Sequence, residues 1–121
     1  MLNGAEIDLL LFEMEPWKGA FVQKIQQEAL DTTAFSLRKP GDTGFLRFRL
    51  ARGNPHFYLG ETKGAALAKP PSFTMALRKH LNGARLASWL KVENDRIVRF
   101  EFIRGDNRFT LVAELIPPAG T

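Results

Sequence analysis

Cysteine is absent from the 121 residues. This absence excludes disulfide bonds, thiolate zinc sites and cysteine nucleophiles, and it suits a reducing compartment, so we expect a cytoplasmic protein. Histidine occurs only as His56 and His80. A metal site would therefore have to be built mostly from carboxylates, and no acidic cluster has the spacing of a calcium loop. We expect neither a metal nor another cofactor.

Long hydrophobic runs are missing as well. The apolar stretch 9–12 is far too short to cross a bilayer. It also follows Glu6 and Asp8, where a signal peptide would carry positive charge. We predict neither export nor membrane association.

Motifs of common enzymes are also lacking. The sequence contains no glycine-rich phosphate loop and no Gly-x-Ser-x-Gly nucleophile motif. The usual nucleotide hydrolases and serine hydrolases are thereby excluded. We expect a protein that is not an enzyme.

What the chain does have is positive charge. Lysine and arginine number 17 against 13 acids, for a net charge of +4, and the isoelectric point is about 9.8. A basic domain attracts nucleic-acid phosphates because binding releases counterions. Scattered cations can equally be a solubilising surface, and composition alone leaves both interpretations open. Eight of the cations fall within one third of the chain: Arg78, Lys79, Arg85, Lys91, Arg96, Arg99, Arg104 and Arg108.

Hydrophobic residues make up 45% of the chain and include ten phenylalanines, enough for residues 1–121 to form one domain with one core.

Apolar spacing predicts helices over 5–14 and 73–81, the second capped by Ser72, with Phe73, Leu77, His80 and Leu81 on one face. Alternation places Leu46, Phe48 and Leu50 inward and Arg47 and Arg49 in water. The fold class is α+β, a mostly antiparallel β-sandwich or sheet with flanking helices. The predicted strands are 20–27, 34–39, 45–51, 56–60, 84–92, 97–103 and 109–115, with a surface loop over 61–71.

An acid and an arginine stand side by side where the strand 97–103 begins. Asp95 can hold the guanidinium of Arg96 in one orientation, so that its planar donors meet a base edge or a phosphate. A surface salt bridge of little energetic value is the alternative. The local pattern by itself does not decide between them.

Several separate stretches carry a resemblance to one family. They are Lys24-Ile25 with Gln27; Pro70-Pro71, Phe73, Met75, the run Leu77-Arg78-Lys79-His80-Leu81, Gly83 and Arg85; and Asp95-Arg96-Ile97-Val98 with Phe100 and Phe102. Together they resemble the NFACT-N domain of RqcH/FbpA-type ribosome-associated quality-control factors. The resemblance spans about Gly4 to Leu115. Because proteins of that family continue into further domains, it implies an excised N-terminal piece or a reduced relative.

The resemblance implies a function in RNA recognition. Such proteins bind obstructed large ribosomal subunits and recruit tRNA near its anticodon, so that the stalled chain receives an untemplated alanine tail. Asp95 and Arg96 match the pair that this recruitment requires, and we expect Arg78, Lys79 and Arg85 to add phosphate affinity. The partners implied are tRNA and, through domains absent here, the large ribosomal subunit.

The same resemblance implies a fold similar to the N-terminal domain of formamidopyrimidine-DNA glycosylases. Those enzymes attack with an N-terminal proline, whereas this chain starts with Met1, so a DNA-binding relative without that nucleophile is one alternative. The other alternative is a fibronectin- or fibrinogen-binding adhesin. We expect no membrane partner in either case.

Overall fold

The computed structural model describes residues 4–51, 54–92 and 96–115. Two α-helices, a short 3-10 turn and seven strands occupy these ranges. The helices are α1, Gly4–Glu13, and α2, Ser72–Leu81, and the 3-10 turn is Glu15–Trp17. The strands are β1, Phe21–Ala29; β2, Thr32–Lys39; β3, Asp42–Ala51; β4, Asn54–Gly60; β5, Arg85–Lys91; β6, Ile97–Arg104; and β7, Asn107–Glu114.

All seven strands form one antiparallel sheet in the order β4-β3-β2-β1-β5-β6-β7. The first four strands form a meander, and α2 then carries the chain from the β4 edge to the centre, where β5 pairs with β1. The last three strands form a second meander. The predicted α+β class and antiparallel pairing are thus confirmed, with every predicted helix and strand present.

The sheet is folded over so that its two halves share a core. The Phe57 ring on β4 lies 5.7 Å from the Phe100 ring on β6, centroid to centroid, although four strands separate β4 from β6. In a flat sheet with strands about 4.8 Å apart, the distance between β4 and β6 would be about 24 Å. The halves meet where Phe21 of β1 pairs with Arg85 of β5. A single sheet therefore produces a sandwich-like core.

Helix α2 buries a different stripe from the predicted one. Leu77 and Leu81 face the core as expected, but Phe73 and His80 are exposed, and Thr74 takes the inward position. The Thr74 hydroxyl can be buried there because it donates a 2.7 Å hydrogen bond to the Gln27 side-chain oxygen. The predicted Ser72 cap is also wrong, because Pro71 is the N-cap residue and no side chain in the described part of the chain caps the helix.

Arg47 is the main correction to the predicted strands. It lies on the outer face, as alternation requires, but it is buried because the segment after β4 covers that face. Its Nε donates to Glu28 Oε1 at 2.6 Å and one terminal nitrogen donates to the Thr62 carbonyl at 2.6 Å. The hydrogen bond to the Glu28 carboxylate raises the pKa of Arg47 above its usual range. Leu50, predicted inward, is exposed at the end of β3.

Candidate nucleic-acid interface

The basic side chains fall into two groups, according to whether the fold already uses them. Arg78 belongs to the first group. It was predicted to contact phosphates, but its Nε donates a 2.8 Å hydrogen bond to the Ile25 carbonyl and its side chain is half-buried. This bond ties α2 to β1, so Arg78 has a structural task whatever else it contacts.

We expect replacement of Arg78 by methionine to lower the free energy of unfolding by about 1.5–3 kcal/mol. A hydrogen bond to a charged group contributes about that much, and its loss leaves the Ile25 carbonyl without this donor. Chemical denaturation followed by circular dichroism measures the change. The control is Lys79→Met, the next residue on the same helix, which is exposed and should change stability by less than about 0.5 kcal/mol. Equal losses in the two variants would contradict the structural role of Arg78.

Arg104 also belongs to the first group. One of its terminal nitrogens donates to the Lys79 carbonyl at 2.8 Å and lies 3.4 Å from the Asn82 carbonyl. Its guanidinium also stands over the Phe109 ring, 5.9 Å from the centroid. A cation at the carboxyl end of a helix satisfies carbonyls that have no partner within the helix. Arg104, the last residue of β6, therefore anchors the end of α2 to the β6–β7 hairpin.

Lys79 and Arg85 belong to the second group. Both are exposed, and within the described ranges neither side chain forms a salt bridge or hydrogen bond. Arg85 opens β5 and stands directly opposite Phe21 on β1 and Ile103 on β6. These two predicted residues therefore keep free donors at the surface.

The structure places Arg96 far from Arg85. Arg96 immediately precedes β6, and its carbonyl accepts a 2.6 Å hydrogen bond from the Leu115 amide. Arg85 pairs with Ile103 near the other end of that strand, about 23 Å away at roughly 3.3 Å per residue. The predicted residues thus form two separate groups. Asp95 lies outside the described residues, so its pairing with Arg96 stays a prediction.

Sequence reasoning missed two neighbours of Arg85. Phe21 is exposed and pairs with Arg85 on one side and with Arg38 on the other. Arg38 is also exposed. Both residues lie in the first half of the chain, whereas the predicted basic surface lay entirely in the second half. Alternation within 34–39 could have placed Arg38 outward, but only the β1–β5 pairing brings it near Arg85.

An apolar groove of about 260 Å³ opens between α2, the β2–β3 pair and β7. Among the described residues that line it, the polar side chains are Thr33 and Glu114, and none is a histidine or a basic residue. No trio of acidic or histidine residues in the described ranges could hold a metal ion. None of the helices that the structure describes is long and apolar enough to span a membrane.

Comparison with known proteins places the chain in a family. A model of the NFACT N-terminal and middle domains matches residues 4–117. The chain belongs to the NFACT family. The predicted family is thereby confirmed, over nearly the whole chain.

Two curated relatives of this NFACT domain match it over 46 residues. The archaeal Rqc2 homologue aRqcH of Methanocaldococcus jannaschii is 50% identical over that stretch, which is 38% of this chain and 7% of the relative. The NEMF homologue of Drosophila melanogaster, a ribosome quality control complex subunit, is 44% identical over 38% of this chain and 5% of the relative. The matched stretch is thus a small part of either protein.

Solved structures share the NFACT domain's fold over most of its length. The N-terminal domain of the fibronectin-binding protein PavA from Streptococcus pneumoniae has a TM-score of 0.85 at 26% identity, covering 93% of this chain and 45% of that one. The corresponding region of the fibronectin/fibrinogen-binding protein from Streptococcus suis has a TM-score of 0.85 at 24% identity, with the same coverage. The chain therefore spans about half the length of these neighbours.

Proposed function

We propose that this NFACT domain is a non-catalytic RNA-binding module of ribosome-associated quality control. In this proposal it recruits tRNA, through the anticodon region, to obstructed large ribosomal subunits and so supports untemplated alanine tailing of stalled chains. The observation that carries the proposal is the family match over residues 4–117, together with relatives that are named as Rqc2 and ribosome quality control proteins.

The surface charge supports an RNA partner. Lys79 and Arg85 are exposed cations without protein partners among the described residues, so their donors can meet phosphates without first breaking internal bonds. Arg96 supplies a second point of contact at the other end of β6. Affinity carried by such contacts falls as salt rises, because each neutralised phosphate releases counterions.

A non-catalytic role is supported by the lining of the apolar groove. Catalysis by proton transfer needs an acid or base within hydrogen-bond reach of the reacting group. Among its described lining residues the groove offers one carboxylate, Glu114, the hydroxyl of Thr33, and no second titratable group. Cleavage of damaged duplex DNA by the purified chain would contradict this part and favour the glycosylase-like alternative.

We expect the double replacement Asp95→Ala and Arg96→Ala to weaken tRNA binding by about five- to a hundredfold. An arginine that contacts a base edge contributes roughly 1–3 kcal/mol. Fluorescence anisotropy with labelled tRNA at low and moderate salt measures the affinity. The matched control is Asp31→Ala with Arg49→Ala, a surface acid–arginine pair 3.5 Å apart that removes the same charges elsewhere.

Equal weakening by the two double variants would show that the loss of any surface acid and arginine lowers the tRNA affinity. The proposed specific contact of Asp95 and Arg96 with tRNA would then be wrong. Unchanged affinity in the Asp95/Arg96 variant at both salt concentrations would have the same consequence. Recruitment to the ribosome is tested separately, by co-sedimentation of the chain with large subunits in a lysate from cells that lack the full-length factor.

Fibronectin binding is the second candidate, because the PavA neighbour is named as a fibronectin-binding protein. Binding of the chain to immobilised fibronectin would support it if an excess of tRNA did not compete. Competition by tRNA would indicate that the same basic surface attracts both ligands non-specifically.

A further inference from the structure

We propose that a row of side chains across the outer face of the sheet binds a single-stranded RNA segment. In this arrangement Phe21 stacks on a base, and arginines on either side contact the flanking phosphates. The inference rests on the proposed RNA-binding function and assigns a surface to it. This transverse row consists of Arg38 on β2, Phe21 on β1, Arg85 on β5, Ile103 on β6 and Arg108 on β7.

Strand register aligns the row. Phe21 is paired with both Arg38 and Arg85, and Ile103 is paired with both Arg85 and Arg108. Directly opposed residues of antiparallel strands point to the same face of a sheet. That face is the outer one, because the next residues along these strands are in the core. These core neighbours are Val22, Leu37, Leu86 and Phe102.

Four of the five side chains of the row are exposed, and Ile103 is half-buried. Phe21 is 55% exposed, and Arg38, Arg85 and Arg108 are all exposed. Among the described residues, none of these three arginines forms an ion pair or a hydrogen bond through its side chain. The Phe21 ring, more than half exposed between two guanidinium groups without partners among the described residues, therefore offers a face on which a ligand base can stack.

The spacing within the row suits a nucleotide chain. Neighbouring strands lie about 4.8 Å apart, so Arg38 and Arg85 are separated by about 10 Å with Phe21 midway between them. Arg85 and Arg108 are separated by a similar distance, with Ile103 midway. Alternating cations and apolar side chains let phosphates meet the arginines while bases lie on Phe21 and Ile103. Stacking on an aromatic ring accepts any base, because every base has a π-face.

The charge of a neighbouring residue restricts the path that an RNA ligand can follow across this face. The row itself contains no acid, but the next pair of β6 and β7 residues on the same outer face is Glu101 and Thr110. The Glu101 carboxylate lies at the surface, where it accepts a 2.9 Å hydrogen bond from the Thr110 hydroxyl. A phosphate chain would be repelled there. The ligand would therefore run across the strands along the row rather than along β6 toward Arg96.

The stacking role is tested by anisotropy with a labelled single-stranded oligouridine, using the whole 121-residue chain. We expect Phe21→Ala to weaken binding by about five- to a hundredfold, the range for loss of one stacked base. Phe12→Ala is the control, since Phe12 is an exposed phenylalanine on α1, and it should leave the affinity unchanged. Thermal unfolding of each variant checks that the fold is intact.

The phosphate role is tested by comparing two arginines on the same face. Arg108→Gln should weaken binding and reduce the slope of log affinity against log salt by about 0.7, the value for one phosphate contact in a single strand. Arg99→Gln should change the slope less, because Arg99 lies about 13 Å along β6 from the row. Equal slopes for the two variants would show diffuse attraction and would overturn the row.

These outcomes separate the row from the proposed function. If the wild-type chain binds tRNA but the Phe21 and Arg108 variants bind oligouridine as the wild type does, the row is wrong and the RNA-binding function stands. If the wild type binds neither RNA, both fail. A DNA oligonucleotide of the same length that binds more tightly, with the same loss in the variants, would overturn the assignment to RNA.

Discussion

Replacing Phe100 with alanine is expected to lower the free energy of unfolding by about 3–5 kcal/mol. Phe100 is completely buried, and its ring meets Phe48 and Phe57 edge-to-face at centroid distances of 5.3 and 5.7 Å. These contacts join β6 to β3 and β4 across the folded sheet. Since a domain is stable by only about 5–15 kcal/mol, the loss would remove a large share of the total.

Urea denaturation of the wild type and the variant measures this loss. Phe12→Ala is the matched control, because the same atoms are removed from an exposed position and the change should stay within about 0.5 kcal/mol. Phe100→Leu keeps most of the apolar volume and should lose less than the alanine variant. A loss below about 1 kcal/mol for Phe100→Ala would mean that the two halves of the sheet do not share one core.

The second large effect is expected from Glu28→Ala, which should cost about 3–5 kcal/mol. This change leaves Arg47 charged and enclosed without its carboxylate, and removing one partner of a buried ion pair is strongly destabilising. The two side chains are only 8% and 12% exposed, and their salt bridge is 2.6 Å long. The Thr62 carbonyl would remain as an acceptor for Arg47, so the loss should lie toward the lower end of the range.

A double-mutant cycle isolates the pair. Glu28→Leu combined with Arg47→Met should be much closer to the wild type in stability than either single variant, since no buried charge is left unpaired. Asp31 and Arg49 form the control pair, because their side chains are 38% and 52% exposed and a coupling of less than about 1 kcal/mol is expected. Equal couplings for the two pairs would show that the covering segment does not shield Glu28 and Arg47 from water.

Local sequence patterns predicted the helices and strands well where a single periodicity, strand alternation or helical spacing, determined them. Alternation in β6 placed Val98, Phe100 and Phe102 inward, and all three are completely buried. The same rule assigned Arg47 to water and failed, because alternation determines the face of the sheet but not what covers that face. Helical spacing likewise identified α2 but placed Phe73 inward, where Thr74 is buried instead.

The structure agrees only in part with what was predicted for the exposure of the nucleic-acid-binding residues. Lys79 and Arg85 are exposed as required, whereas Arg78 is bonded to the Ile25 carbonyl. Nothing in the sequence around Arg78 indicates this bond, because its partner lies 53 residues earlier in the chain. The RNA-binding roles of all five predicted residues remain predictions.

The amino-acid sequence by itself determined the family, the α+β class, the two helices and the seven antiparallel strands, because these depend on short motifs and on the periodicity of neighbouring residues. Only the tertiary structure decided that the sheet folds over, that Glu28 and Arg47 are enclosed together, and that Arg38, Phe21, Arg85 and Arg108 form one row. The physical reason is that strand order and covering segments bring together residues far apart in the chain, and no local pattern records which distant strand a residue will face.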